Sequence, residues 1–209
     1  MASRRQPRIR PENSTQRTAP EVGHVRIIGG KMRGRTWDFP ADPRTRPMKD
    51  RLREALFNLL GPSVQGSHAI DLFAGTGALG FEALSRGAAR ATFIERHVPT
   101  AKLLRESARM LEVESVCECI AGDTFVWARR TSDFGPEPVA AFCSPPYEFY
   151  ASRSTQVQDL LADLLARSPA GSRIVAEFDE RFSAEQLPDA ERWRVRCYSG
   201  ISLAISDPT

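Results

Sequence analysis

Residues 71–80 read DLFAGTGALG and directly follow the apolar run HAI, which is typical of a buried β-strand. The acid Asp71 ends this strand, and glycines 75 and 77 precede a helical pattern. In α/β folds this arrangement places backbone N–H groups and a helix N-terminus beside a cleft at the carboxyl end of the strand. The stretch therefore predicts a nucleotide-binding site.

The glycines of this stretch also match G-x-G-x-x-G, the fingerprint of dinucleotide-binding folds. A carboxylate at Asp71 would repel a pyrophosphate but could hold an ammonium group, and the apolar pair Phe73-Ala74 precedes the first glycine. Both features favour S-adenosylmethionine, which carries a sulfonium and an ammonium, over NAD. A nicotinamide-dependent oxidoreductase is the alternative for the glycine pattern.

Composition bounds the class of protein. The chain has 209 residues, of which 41% are hydrophobic, enough for the core of one or two domains. No apolar run approaches the ~20 residues of a membrane span, and the basic N-terminus lacks the apolar segment of a secretory signal. The four cysteines match no zinc pattern and favour reduced thiols. We therefore expect a cytoplasmic protein without a membrane partner.

The net charge of +3 is unevenly distributed. Residues 1–53 carry 14 Lys and Arg against 5 Asp and Glu, or +9, which leaves 15 against 21, or −6, for the remainder. The proline-containing residues 1–23 predict a disordered basic tail. Residues 25–39 alternate like a β-hairpin with glycines at its turn and Lys31, Arg33 and Arg35 exposed. Structured cations of this kind indicate nucleic-acid binding, with a solvated basic face as the alternative.

An amphipathic helix is predicted to begin at Pro47, with Leu52, Leu56, Leu59 and Leu60 on its core face and Arg46, Lys49, Arg51 and Arg53 on or near the other side. The hairpin and this helix make residues 24–62 a predicted RNA-binding unit, and residues 63–209 a predicted catalytic domain. Strands alternate with helices after residue 68, which predicts a mostly parallel sheet covered on both faces.

Two further acids follow strands of this pattern. Glu95 ends the second strand, where a carboxylate can accept hydrogen bonds from both ribose hydroxyls. Asp123 follows the third strand and could accept a bond from an adenine amino group, although Asp before a helix is also a common N-cap. The predicted cofactor-binding residues are Asp71, Phe73, Ala74, Gly75, Gly77, Ala78, Leu79, Glu95, Arg96, Asp123 and Thr124.

The tetrad SPPY, residues 144–147, ends the fourth strand. Its prolines fix the backbone and leave their carbonyl oxygens free to accept, and Tyr147 offers a ring on which a flipped base can stack. The Ser144 side chain and the Pro145 carbonyl can bind the two hydrogens of an exocyclic amine, so that its lone pair points at a methyl donor. Ser144, Pro145, Pro146 and Tyr147 are therefore the predicted catalytic residues. Taken alone, the tetrad is also compatible with a rigid turn.

Five segments in order, VRIIGGKMRGR, RTRPMKDRLREALFNLL, DLFAGTGALGFEALSRGA, FIE and SPPY, resemble the bacterial RsmD family of 16S rRNA guanine-N2 methyltransferases. The resemblance implies a Rossmann-like class I α/β fold with a seven-stranded sheet whose last strands form an antiparallel hairpin. It implies S-adenosylmethionine as methyl donor, without a metal, and a guanine in 16S rRNA or a 30S particle as acceptor. We expect the protein to be a monomer.

The resemblance also implies roles for individual residues. Asp71 and the glycines hold the methionine part of the cofactor, Glu95 the ribose, Asp123 the adenine, and the tetrad the target base. The implied RNA contacts are Arg26, Lys31, Arg33, Arg35, Arg46 and Arg51.

Ser144 departs from the family, which normally carries Asp, less often Asn, at this position. A neutral hydroxyl stabilises a developing positive nitrogen less than a carboxylate does. We therefore expect a slower enzyme, and expect Ser144→Asp to preserve or raise turnover. The alternatives are methylation of adenine N6 or of a protein glutamine, and a catalytically weakened RNA-binding assembly factor.

Overall fold

The computed structural model describes residues 22–40 and 48–208. Strands and helices alternate along most of this length. In chain order the elements are β1 (Val22–Arg26), β2 (Thr36–Pro40), α1 (Asp50–Leu60), β3 (His68–Asp71), α2 (Ala78–Ser85), β4 (Arg90–Glu95), α3 (Val98–Met110), β5 (Cys117–Ala121), α4 (Thr124–Arg130), β6 (Val139–Cys143), α5 (Glu148–Ser152), α6 (Ser154–Arg167), β7 (Arg173–Asp179), β8 (Trp193–Tyr198) and β9 (Ile201–Ser206).

Seven strands form one sheet in the order β5-β4-β3-β6-β7-β9-β8, and β1 and β2 form a separate antiparallel pair. Neighbouring strands from β5 through β7 run parallel, whereas β9 is antiparallel to both β7 and β8. The predicted Rossmann-like α/β class, including the N-terminal hairpin, is therefore confirmed. The strand β4 lies on one side of β3, and β6, which comes later in the chain, lies on the other side. The direction in which strands are added to the sheet therefore changes at β3. Open α/β sheets bind ligands at such a switch point.

Two clusters of buried side chains cover opposite faces of the sheet. Alternate residues of β6 separate between them: Ala140 and Phe142 join a cluster with α1, α2 and α3, whereas Val139 and Ala141 join one with α4 and α6. Because both faces are covered, β3 and β6 are buried along their whole length. This burial explains why β6 reads as a continuous apolar run, VAAFC.

The hairpin packs on α2 around a buried acid. Glu82 accepts the backbone N–H groups of Ile28 and Gly29, at 2.8 and 2.9 Å, and is fully buried. The guanidinium groups of Arg86 and Arg53 lie 2.8 and 3.8 Å from the same carboxylate. Buried side chains of both hairpin strands join the cluster that contains α2. The hairpin thus shares the core of the sheet, and a domain boundary at residue 62 stays a prediction.

Several sequence-based details are wrong. The helix α1 begins at Asp50, later than predicted, and its Leu59 is exposed. Arg53 is buried rather than solvent-facing, because its guanidinium donates to the Arg26 carbonyl at 2.6 Å and to Asp50 at 3.0 Å. The strand β1 begins at Val22, within the predicted tail.

Residues 1–21, and with them the prediction of a disordered tail, lie outside the described residues. No helix in the described part of the chain is long and apolar enough to cross a membrane.

Candidate active site

One cavity of about 710 Å³ lies at the carboxyl ends of β3, β4, β6 and β7. It is lined by every predicted cofactor-binding and catalytic residue except Gly77. The lining residues that the sequence did not predict include Met48, His97, Phe149, Glu177 and Arg181. Asp71, Glu95 and Asp123 define what we call the cofactor half of this cavity. Ser144, Tyr147 and Glu177 define the acceptor half.

The glycines that follow β3 allow a backbone conformation and a close packing that larger residues would prevent. Gly75 and Gly77 have φ angles of 50° and 78°, a left-handed conformation that strains other residues. A side chain at Gly80 would place its Cβ 2.3 Å from the Phe93 ring, so this glycine allows α2 to pack closely on β4. The turn therefore brings backbone N–H groups to the edge of the cavity.

Asp71 is a buried carboxyl group at the start of this turn. It is 2% exposed, and its Oδ2 accepts the Gly80 N–H at 3.1 Å. Burial raises the pKa of Asp71 to about 7; the Gly80 hydrogen bond opposes that rise, and the nearby Glu95 carboxylate adds to it. A cation bound beside Asp71 would stabilise its charged form. The site thus fits an ammonium group better than a phosphate.

Glu95 is fixed from two sides at the end of β4. Its Oε2 accepts the Gly75 N–H at 3.0 Å, and its Oε1 accepts the His97 N–H at 2.7 Å. These bonds orient the carboxylate at the cavity wall while leaving each oxygen a second lone pair. This geometry is compatible with the predicted ribose contact.

Asp123 is the N-cap residue of α4, which is the alternative interpretation of this acid in the sequence. Its Oδ1 accepts the N–H groups of Phe125 and Val126, at 2.9 and 3.1 Å, at the start of α4. Its other oxygen lies 3.7 Å from the Arg153 guanidinium. The neighbouring Thr124 hydroxyl donates to the Leu72 carbonyl and ties α4 to the end of β3. An adenine contact by Asp123 stays a prediction.

The acceptor half is organised by an acid that sequence reasoning missed. Glu177 lies in β7, is 5% exposed, and accepts hydrogen bonds from the Ser144 hydroxyl and, at 2.8 Å, from the Tyr147 hydroxyl. The parallel register pairs Cys143 with Ala176, which brings Ser144 beside Glu177. The available signal was a single acid inside the otherwise apolar run IVAEF.

The predicted RNA contacts occupy different kinds of position. Lys31 and Arg33 are exposed in the hairpin turn, and Arg51 is exposed near the start of α1. Arg26 is exposed but forms an ion pair with Asp50 at 2.8 Å. Arg46 lies outside the described residues.

Arg35 is held by the protein itself rather than fully exposed. Its guanidinium donates to the carbonyl oxygens of Met110 and Leu111, both at 2.9 Å, at the C-terminal end of α3. Helix C-termini favour a cation because their last carbonyls carry partial negative charge. This capping contact engages the guanidinium while the Arg35 side chain stays 37% exposed, and an RNA contact by Arg35 stays a prediction.

The hairpin turn is remote from the cavity. The Lys31 N–H donates to the Ser85 carbonyl at 2.7 Å, at the C-terminal end of α2. The cavity lies at the other end of this eight-residue helix, about 12 Å away along its axis. Because every residue of α2 is buried, a nucleic acid that contacts both places must pass over the elements that cover this helix.

The switch-point cleft, its glycine turn and the tetrad on a mostly parallel seven-stranded sheet define a class I, S-adenosylmethionine-dependent methyltransferase. The profile of the family described as "Conserved hypothetical protein 95" matches residues 25–205. The chain therefore belongs to this family, and the resemblance to the RsmD methyltransferases is confirmed.

Individual relatives agree with this assignment. YlbH of Bacillus subtilis is 33% identical over 186 residues, which cover 87% of this chain and 97% of that protein. The ribosomal RNA small subunit methyltransferase D of Escherichia coli K12 is 56% identical over 73 residues, 35% of this chain and 37% of that one. The solved structure of the Escherichia coli protein yhhF superposes with a TM-score of 0.69 at 30% identity, over 88% of this chain and 97% of that one.

Proposed function

We propose that this protein transfers a methyl group from S-adenosylmethionine to the exocyclic N2 amine of a guanine in small-subunit rRNA. The observation that carries the proposal is the joining of the two halves in one cavity: cofactor-type carboxylates on one side and the SPPY tetrad on the other. The relative named ribosomal RNA small subunit methyltransferase D supports the RNA substrate. The choice of guanine N2 comes from the sequence resemblance alone.

In the cofactor half, Asp71 would hold the ammonium of the cofactor and Glu95 its ribose hydroxyls. The buried Asp71 carboxyl, with its raised pKa, supports this fit because a bound cation stabilises the charged form. Phe73 and Phe149 line the cavity with ring centroids 6.2 Å apart and offer an apolar wall for the adenine, and the buried Phe125 packs against both rings. When bound, S-adenosylmethionine supplies an electrophilic methyl group on its sulfonium.

In the acceptor half, Tyr147 would stack on the extruded guanine, while Ser144 and the Pro145 carbonyl accept the two N2 hydrogens. These contacts pyramidalise the nitrogen and free its lone pair for attack. Positioning and electrostatics then supply most of the rate enhancement. The amine after transfer is a strong acid, so it needs no strong base.

The RNA would reach the cavity past the start of α1, where Arg51 is exposed. Lys31, Arg33 and Arg51 are exposed cations, and Met48, just before α1, lines the cavity. Exposed cations bind phosphates without reading sequence. The selection of one guanine in 16S rRNA or a 30S particle therefore requires the fold of the RNA itself.

Incubation with radiolabelled S-adenosylmethionine and small-subunit particles lacking the modification tests the proposal. We expect label in 16S rRNA that digests to N2-methylguanosine. Lys31→Ala/Arg33→Ala should weaken particle binding and leave binding of S-adenosylhomocysteine unchanged. N6-methyladenosine or labelled protein would instead support the alternative acceptors, and binding without incorporation would support an assembly factor. Tighter binding of NAD than of S-adenosylmethionine would support an oxidoreductase.

A further inference from the structure

The buried Glu177 carboxylate connects the two reactive side chains of the tetrad. Its two oxygens accept the hydroxyl hydrogens of Ser144 and Tyr147 respectively. The Tyr150 hydroxyl donates to the Glu177 backbone carbonyl at 2.7 Å and fixes the strand at the same point. Three side chains that follow β6 thus converge on one residue of β7.

The charge of Glu177 is directed toward these hydroxyls. Among the ion pairs of the described residues, none joins the Glu177 carboxylate to a Lys or Arg side chain. Arg181, which lines the same cavity, lies instead 3.6 Å from Asp179. A buried carboxylate bonded to hydroxyl donors strengthens their oxygens as acceptors, because each donated hydrogen leaves more negative charge on its oxygen.

We infer that Glu177 is a positioning residue for methyl transfer and acts through Ser144. The inference rests on the proposed function. Since the Ser144 hydrogen is directed at Glu177, the lone pairs of Ser144 Oγ are available to an amine hydrogen in the cavity. The hydrogen bond from Tyr147 holds its ring beside that amine. Glu177 thereby supplies, from the neighbouring strand, the negative charge that Ser144 lacks.

The same contacts provide a route for the departing proton. When the N2 lone pair forms the new N–C bond, the methyl–sulfur bond breaks and its electrons stay on sulfur. The nitrogen then carries a positive charge and loses one proton. Ser144 Oγ accepts that proton as its own hydroxyl proton passes to Glu177, which later releases it to solvent.

Glu177 also changes the expectation for Ser144→Asp. A carboxylate at position 144 would lie within hydrogen-bonding reach of the Glu177 carboxylate. Two carboxylates that share a site repel each other, which favours a proton on one of them. We therefore expect Ser144→Asp to lower turnover, contrary to what the sequence alone suggests, and Ser144→Asp/Glu177→Gln to restore it.

The test measures single-turnover methyl transfer to ribosomal particles by wild-type protein and by Glu177→Gln, Ser144→Asp and the double variant. Glu180→Gln is the matched control, because it removes an exposed carboxylate three residues away. Affinity for S-adenosylhomocysteine, affinity for particles and the melting temperature are measured in parallel. Crystal structures of the Glu177 and Glu180 variants report the position of the Tyr147 ring.

We expect Glu177→Gln to slow transfer about 10- to 100-fold, with both affinities within about twofold of wild type. The double variant should return to within about fivefold of wild type. Wild-type transfer rates in Glu177→Gln, or a double variant slower than either single one, would overturn the inference. If Glu177→Gln lowers the affinity for S-adenosylhomocysteine and the melting temperature together with the transfer rate, Glu177 has a purely structural role. An inactive wild-type protein would overturn the proposed function instead.

Discussion

The two halves of the cavity hold their carboxylates in different ways. In the cofactor half, backbone N–H groups bind the acids: Gly80 binds Asp71, and Gly75 and His97 bind Glu95. In the acceptor half, side-chain hydroxyls from the segment that follows β6 bind Glu177. The cofactor half therefore depends on the path of the backbone. The acceptor half depends on which side chains occupy two neighbouring strands.

Asp71→Asn should have the largest effect, because it removes the charge that the cofactor half offers to an ammonium group. We expect affinity for S-adenosylhomocysteine to fall about 100-fold by calorimetry. The folded pKa of about 7 lies above the ordinary value of 3.8, so burial of this carboxyl costs stability that is lost as the pH rises from 3.8 to about 7, and the loss is complete above that pH. The variant should therefore be more stable at pH 8, by about 2–4 kcal/mol. Asp159→Asn, an exposed acid of α6, should change neither quantity.

Glu95→Gln removes the charge of Glu95 and also weakens its hydrogen bonds to backbone N–H groups of the same half. Its amide can accept only one of the Gly75 and His97 N–H groups, and its NH₂ then faces the other donor. We expect about 10- to 50-fold weaker binding of S-adenosylhomocysteine and, unlike Asp71→Asn, a loss of about 1–2 kcal/mol in stability. Chemical denaturation measures the latter. A stabilised variant would contradict this account of Glu95.

The pH dependence of binding tests whether Asp71 titrates in the empty cleft. A bound ammonium favours the charged carboxylate, so binding below pH 7 must first release the Asp71 proton. Affinity for S-adenosylhomocysteine should fall about 10-fold between pH 8 and pH 6. Calorimetry in buffers of different ionisation enthalpy should detect the released proton. Asp71→Asn should remove this dependence.

Tyr147→Phe perturbs the acceptor half while keeping the ring. It removes the hydrogen bond to Glu177 but preserves the stacking surface. We expect methyl transfer to slow about 3- to 10-fold with unchanged affinity for S-adenosylhomocysteine. Single-turnover kinetics and calorimetry measure the two quantities. An equal change in the methyl-transfer rate and in the affinity for S-adenosylhomocysteine would mean that the two halves of the cavity are not independent.

Trp37→Phe should have the smallest effect on cofactor affinity, and it tests the link between the hairpin and the cofactor half. The Trp37 indole N–H donates to the Thr76 carbonyl in the glycine turn at 3.1 Å. The substitution leaves a buried carbonyl without this donor and a cavity in place of the larger indole, and should cost about 2–4 kcal/mol of stability. Affinity for S-adenosylhomocysteine should weaken less than about threefold. A larger loss would show that the hairpin orders the cofactor turn.

Charged side chains were the least predictable part of the molecule. Arg53 and Arg35 both read as exposed cations, yet one is buried against Glu82 and the other caps α3. A helical pattern places a residue on one face, but it does not reveal which carbonyls and acids a neighbouring element presents there. Asp123 shows the opposite case, because an N-cap is formed within four residues of sequence.

The sequence by itself determined the class of fold and the cofactor half. Alternating strand and helix patterns, the glycine turn and Asp71 are local features, and their partners are backbone groups nearby in the chain or on the adjacent strand. Only the tertiary structure decided the acceptor half. Ser144 and Glu177 are 33 residues apart and meet through the parallel register of β6 and β7. That pairing, which no local pattern encodes, places the missing carboxylate beside Ser144.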